Sequence, residues 1–163
     1  MIHMICGSTG AGKTTFALQL AQKNQAILFS IDEWMESLYG AERNETTELE
    51  WMLERIERCE KQIWEVCLQL LKNDKPVILD LGLSKKSHRE KFYQLAKDIN
   101  IDVVLYFIDV DKAIRWSRVQ QRNLEKGKTF SLEVTPEMFD FMESWFERPE
   151  SGEHYKEIII SEE

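Results

Sequence analysis

The chain is poor in cysteine, proline and histidine, with three of each in 163 residues. Cys6, Cys59 and Cys67 are odd in number and lack paired metal-site spacing, which excludes a disulfide framework and a zinc module. Cys59 and Cys67 stand in a helical stretch and read as small core residues. The prolines, Pro76, Pro136 and Pro149, all fall beside segment boundaries rather than inside periodic runs. Long apolar runs are missing too. None approaches the roughly 20 residues of a membrane span, and the N-terminal run is too short for a signal peptide. Positive charge is in deficit: 21 Lys and Arg stand against 29 Asp and Glu, a formal net charge of −8. That balance speaks against broad, sequence-independent binding to nucleic acid, although it allows a local basic groove. No internal repeat or low-complexity tract occurs. These absences lead to the expectation of a cytoplasmic, reduced protein of one domain spanning residues 1–163, with no membrane partner.

What is present begins at the N-terminus. Met1-Ile2-His3-Met4-Ile5-Cys6 is a short apolar run of the kind a buried parallel strand shows. Gly7-Ser8-Thr9-Gly10-Ala11-Gly12-Lys13-Thr14-Thr15 then fits the phosphate-loop pattern G-x-x-x-x-G-K-[ST] at every fixed position. Behind it, Phe16, Ala17, Leu20 and Ala21 are spaced to line one face of a helix. Strand, glycine-rich turn and helix start form the setting the pattern requires. Glycines let successive backbone N–H groups turn inward as an anion nest, and the helix start adds unpaired N–H groups and its dipole. Residues Gly7 to Thr15 are therefore the candidate ATP-binding set. Lys13 is expected to reach the β- and γ-phosphates, and the Thr14 hydroxyl to ligate Mg²⁺.

Residues 25–30 read as a second strand, followed at once by Ile31-Asp32-Glu33-Trp34. Ligands of open α/β sheets sit beyond the carboxyl ends of the strands, so Asp32 belongs on the rim of the phosphate loop. Three roles are open to it: a base for an attacking hydroxyl, a water-mediated Mg²⁺ partner, or a helix cap in competition with Ser30. Thr47 and Glu50 have capping-box spacing at the start of a long amphipathic helix that runs to about Lys72. Arg55, Arg58 and Lys61 face away from its apolar stripe, either solvated or with one of them meeting substrate. After the break at Asn73-Asp74-Lys75-Pro76, Val77-Ile78-Leu79-Asp80 is a strand ending in an acid, the Walker-B-like shape in which Asp80 orients Mg²⁺. Ser84 is expected to cap the helix 86–98, near whose start Arg89 could hold an acceptor or phosphate. His88 is set aside as a surface residue. Residues 103–109 form a fourth strand, with Asp109 or Asp111 capping the next helix. Arg115, Arg118 and Arg122 share one face of that helix, with Asn123 following. The face is either solvated or a lid, about 112–130, whose guanidiniums close over the triphosphate. Residues 125–129 read as a mobile loop, Thr135-Pro136 as a helix start, and 154–160 as the last strand.

Taken together, the phosphate loop, Ser30-x-Asp32, Asp80, Arg118-x-x-x-Arg122-Asn123 and Val134-Thr135-Pro136-Glu137-Met138-Phe139 resemble the small P-loop kinases of the nucleoside-monophosphate-kinase-like superfamily. More narrowly they resemble the AAA_33 type, which groups with the polynucleotide kinase 5′-kinase domain, chloramphenicol phosphotransferase and zeta toxins. The resemblance spans nearly the whole chain. It implies an α/β three-layer sandwich of the P-loop NTPase kind, with a five-stranded parallel sheet in the order 2-3-1-4-5 and right-handed crossovers. It also implies an ATP:alcohol phosphotransferase with Lys13, Asp32, Arg118 and Arg122 as catalytic residues, Thr14 and Asp80 on Mg²⁺, and a hydroxyl-bearing small molecule as acceptor. The polynucleotide kinase branch carries S-x-D-x-x-R at the second strand, and here Met35 stands where that arginine would be. The departure, with the acidic balance, favours an acceptor without a nucleic-acid phosphate. The alternatives are a polynucleotide 5′-hydroxyl kinase and a non-catalytic ATP-binding switch or ATPase. No N-K-x-D guanine signature is present.

Overall fold

The computed structural model of the chain describes residues 1–44, 46–126 and 133–159. Five strands form one parallel sheet: β1 (Ile2–Cys6), β2 (Ile27–Ser30), β3 (Val77–Asp80), β4 (Val103–Asp109) and β5 (Tyr155–Ile159), in the order β2-β3-β1-β4-β5. The helices are α1 (Lys13–Asn24), α2 (Ile31–Tyr39), α3 (Leu49–Lys72), α4 (Lys86–Asp98), α5 (Lys112–Glu125) and α6 (Pro136–Trp145). The expected sheet and order are thus observed, with helices on both faces.

The central strands are continuous apolar runs because both their faces are covered. Alternate side chains then divide between two cores. Met4, Leu79, Leu105 and Phe107 meet Ile63, Trp64 and Cys67 of α3 and Phe92 and Ala96 of α4. Ile5, Ile78 and Ile108 meet Ala17 of α1, with Phe16, Leu20 and Ile114 packed around them. A smaller cluster of Val119, Val134 and Phe139 joins α5 to α6. All three cysteines are free and buried, and burial pushes the Cys6 and Cys67 thiols up to about 12. They act as small apolar fillers, as expected for Cys59 and Cys67.

Several local expectations are corrected. The Thr47–Glu50 capping box does not form: Glu48 is the N-cap of α3 without a side-chain bond, and the Thr47 hydroxyl accepts from the Asn44 N–H instead. Ser84 does not cap α4; its hydroxyl leans on the Gly82 carbonyl at 3.5 Å. The first N–H of α4, that of Lys86, donates to the Glu147 carboxylate at 2.8 Å, so a distant loop satisfies this helix end. Ser30, not Asp32, caps α2, accepting from the Glu33 N–H, and Asp111 caps α5, accepting from the Ala113 N–H at 2.8 Å. The last strand begins at Tyr155, with His154 turned at φ 51°. The part of the expected mobile loop from Gly127 onward, the end of the expected lid (127–130) and Ile160 lie outside the described residues.

Candidate functional site

All five strands run the same way, so the carboxyl ends of β1, β2, β3 and β4 share one rim, and the segments that leave them build the site. Residues 7–12 leave β1 and hand over to α1 through Gly12. A tight turn, Ala11 N–H to Ser8 carbonyl at 3.1 Å, closes the loop. The start of α1 has no side-chain cap and no acidic residue in its first turn. Its N–H groups and dipole are left for an anion, in contrast to α2, which is capped by Ser30 and carries Asp32 and Glu33 in its first turn. The Lys13 ammonium donates to the Ser8 carbonyl at 3.3 Å, so it spans the mouth of the loop. Gly10 is required by its setting. Its φ is +80°, and a Cβ there would lie 2.6 Å from the Arg115 carbonyl oxygen and 3.0 Å from a Val119 methyl.

Thr14 and Asp80 meet directly. The Thr14 hydroxyl donates to the Asp80 carboxylate at 3.2 Å, although the two residues come from different elements. Asp80 is only 6% exposed. Burial pushes its carboxyl above the usual carboxylate range, and the charges of Asp32 and Glu33 push the same way. Lys13 and the Thr14 hydroxyl pull it down. A buried carboxylate with one hydroxyl partner and a lysine nearby is a hard-oxygen donor set of the kind Mg²⁺ takes when phosphates supply further ligands. Among the described residues no cluster of three or more His, Cys, Asp or Glu could form an all-protein metal cage.

Ser30 pairs with Asp80 across β2 and β3, and Asp32 follows just beyond that pair, exposed in the first turn of α2. Its influence on the Asp80 carboxyl places the two acids in one electrostatic neighbourhood. Met35, one turn on, is 3% exposed and belongs to the core on the α3 side.

The arginines of α5 separate into two environments. The Nη1 of Arg118 is 3.9 Å from where a Cβ on Gly12 would be, so its guanidinium lies against the end of the phosphate loop. Arg122 is half-buried, and its Nε has no hydrogen-bond partner among the described residues. Arg115 is different. It is 6% exposed, donates from Nε to the Val110 carbonyl and from Nη1 to the Thr9 carbonyl, and forms a two-pronged pair with Glu143 of α6 at 2.5 and 2.9 Å. The expectation that all three share a solvated or lid face fails for Arg115, because that position faces the loop and α6.

Arg89 is also corrected. It is fully buried, donating to Glu153 at 2.6 and 3.0 Å and to the Leu83 carbonyl at 3.0 Å. It is a structural brace, not an acceptor ligand. Arg55 lies 3.8 Å above the Trp51 ring and 5.5 Å from that of Tyr39, Arg58 pairs with Glu54, and Lys61 is exposed. His88 faces the buried Glu60 carboxylate at 2.6 Å, which also takes Lys91 at 2.9 Å. Burial alone would raise the Glu60 carboxyl, but these two partners hold it below its ordinary value.

Glu143, which the sequence reading passed over, stands beside the phosphate loop, lining one cavity with Ser8 and paired to Arg115. Its signal was its position. It is an acid on the stripe Phe139, Met142, Phe146, and a charge on an apolar stripe implies a partner. Met142 accepts from the Thr9 hydroxyl at 3.3 Å. A polar cavity of about 200 Å³ opens beside these groups, lined by Ser8, Asp109, Arg115, Glu143, Phe146 and Arg148.

Comparison with solved structures gives the same architecture. The chain is similar to Kti12 of Chaetomium thermophilum, solved with ADP-AlF3, at 18% identity and a TM-score of 0.71, covering 99% of this chain and 89% of that one. It is similar to the APS kinase CysC of Mycobacterium tuberculosis, solved with AMPPNP and APS, at 16% identity and a TM-score of 0.64, with 99% and 89% covered. A gluconokinase from Sinorhizobium meliloti 1021 aligns at 14% identity and a TM-score of 0.59, with 99% and 83% covered. No curated protein matches the sequence. The AAA_33 pattern, described as an AAA domain, matches residues 2–149, and with its phosphate loop, Thr14–Asp80 pair and strand order in place the chain belongs to that family.

Proposed function

We propose that this chain is an ATP-dependent phosphotransferase that moves the γ-phosphate to a hydroxyl of a small molecule. The observation that carries the reading is the convergence on one rim of the phosphate loop, the Thr14–Asp80 hydrogen bond and the exposed Asp32 just beyond the Ser30–Asp80 pair. The loop amides of residues 7–12 and the free N–H groups of α1 bind the triphosphate, and Lys13 neutralises the β- and γ-oxygens. Thr14 and Asp80 are the residues that would hold Mg²⁺, which neutralises charge on the β- and γ-phosphates when bound. Asp32 takes the proton of the acceptor hydroxyl. The freed oxygen bonds to the γ-phosphorus while the bond to the β–γ bridging oxygen breaks, and ADP leaves with that electron pair. Arg118 and Arg122, on the lid side, stabilise the charge that develops on the transferred group. The unit is one domain, residues 1–163, with the lid at about 112–130, and its site of action is the cytoplasm.

Burial of Met35 supports a small-molecule acceptor over a 5′-hydroxyl end, because the position that would offer an arginine to a nucleic-acid phosphate faces the core. Two of the similar structures are named as kinases of small molecules, gluconate and APS. The test is a metabolite-pool screen with γ-labelled ATP, with a 5′-hydroxyl oligonucleotide included. Asp32→Asn keeps Mg·ATP affinity and slows transfer by roughly 100-fold or more, the usual weight of a general base. Normal turnover by Asp32→Asn would remove Asp32 as the base. Label on the oligonucleotide alone would identify a polynucleotide kinase. ATP binding with no acceptor in any pool would favour a switch.

A further inference from the structure

The Arg115–Glu143 pair is placed where a purely structural salt bridge would be costly. Glu143 is a carboxylate that lines one small cavity with Ser8, beside a loop whose residues otherwise gather N–H groups and a lysine for an anion. Unneutralised, it would set a negative charge beside the phosphate loop. Arg115 answers it with both terminal guanidinium nitrogens, at 2.5 and 2.9 Å, and uses Nη1 again on the Thr9 carbonyl at 3.2 Å. That last bond matches the Thr9 oxygen with a donor. The backbone of the same arginine packs against Gly10. Met142 holds the Thr9 hydroxyl from α6. Loop residues 9 and 10 are therefore held by α5 and α6 together.

We propose that Arg115 and Glu143 are a positioning pair for the phosphate loop. Arg115 cancels the Glu143 charge beside the loop and pairs with the Thr9 carbonyl, so that neither acceptor is left to meet a triphosphate. The pair touches no reacting atom and acts through the loop. It also joins the helix that carries Arg118 and Arg122 to the phosphate site, so α5 and α6 are ordered when the loop is. The inference rests on the reading of this loop as a triphosphate site.

The experiment is calorimetry with Mg·ATP on the full chain, at a temperature where circular dichroism shows every variant folded. Arg115→Met leaves the Glu143 carboxylate uncompensated beside the loop, and affinity falls roughly 30-fold or more, as for loss of one partner of a buried charge pair. Arg115→Met/Glu143→Gln removes the offending charge and recovers at least about fivefold of that loss. Arg115→Lys keeps the charge but loses the fork, so it binds less well than wild type but within about tenfold of it, and loses less than Arg115→Met. A loss that is no smaller in the double variant, or equal in Arg115→Lys and Arg115→Met, overturns the proposal, because the pair then serves packing alone. If Arg115→Met does not fold, the Arg115→Lys and double variants still decide: both must bind within about tenfold of wild type. Wild-type affinity retained in Arg115→Met overturns the positioning pair but leaves the phosphotransferase reading intact. A wild-type chain that binds no Mg·ATP overturns both.

Discussion

Glu153→Ala separates a buried brace from a substrate ligand. Glu153 accepts both forks of the fully buried Arg89 guanidinium, and its carboxylate also takes the Glu150 N–H at 3.0 Å. Removing it leaves Arg89 with the Leu83 carbonyl as its one remaining partner among the described residues. Breaking a buried pair from one side costs about 3–5 kcal/mol, because a charge stays in low dielectric without its partner. For a chain of this size each kcal/mol moves the melting temperature about 2–4 °C, so a fall of roughly 6–20 °C is expected. Arg89→Met/Glu153→Leu removes both charges and recovers most of it, since apolar replacement of a buried pair is near neutral or stabilising. The pH dependence has a defined sign. Burial alone would raise the Glu153 carboxyl, but Arg89 and the Glu150 N–H hold it below its ordinary value. Its folded pKa lies below the unfolded one, so the stabilisation is complete above the unfolded carboxylate pKa, about 4.3, and is lost as pH falls through the folded value. Thermal melts of the variants at pH 7 and across the acid range measure all of this. A Glu153→Ala protein that melts within about 1 °C of wild type while losing phosphoryl transfer would refute the reasoning and return Arg89 to the acceptor site.

Three further outcomes follow from the site. Lys13→Ala abolishes phosphoryl transfer and most Mg·ATP affinity, read by labelled transfer and calorimetry. Asp80→Asn weakens Mg·ATP binding yet raises the melting temperature of the nucleotide-free protein at neutral pH. The sign follows from a carboxyl whose folded pKa burial has raised: ionising it opposes folding, and the difference from wild type closes as pH falls below the unfolded carboxylate pKa. Gly10→Ala is more damaging than Gly82→Ala. Both glycines have φ near +80°, costing an alanine about 1–2 kcal/mol. Only at Gly10 would the new methyl meet backbone, the Arg115 carbonyl, whereas nothing lies within 4 Å of it at Gly82. Equal melting temperatures for the two variants would contradict this.

The elements were legible where a single physical signal governs them. Five strands, the phosphate loop and the Thr135–Pro136 helix start follow from local pattern, and the structure has them at those places. The helix caps were less legible. Thr47–Glu50 has capping-box spacing but lost to an Asn44–Thr47 turn, and Ser84 lost to a carboxylate from residue 147. A cap depends on which acceptor reaches the N–H first, and a distant loop can win. The arginines show the same limit. Arg89, Arg115 and Arg118 look alike along the chain, each near a helix start or on a shared face. One is buried against Glu153, one is locked to Glu143 and Thr9, and one lies by Gly12.

By itself the sequence determined the order of strands and helices, the nine-residue phosphate-loop motif, and the acids that end two strands. Periodicity, glycine and strand-terminal acids are local properties, and local properties survive in one dimension. Only the tertiary structure decided which cations were consumed by carboxylates arriving from Glu143 and Glu153, far along the chain. A buried charge must find its partner in space, and sequence separation says little about that distance.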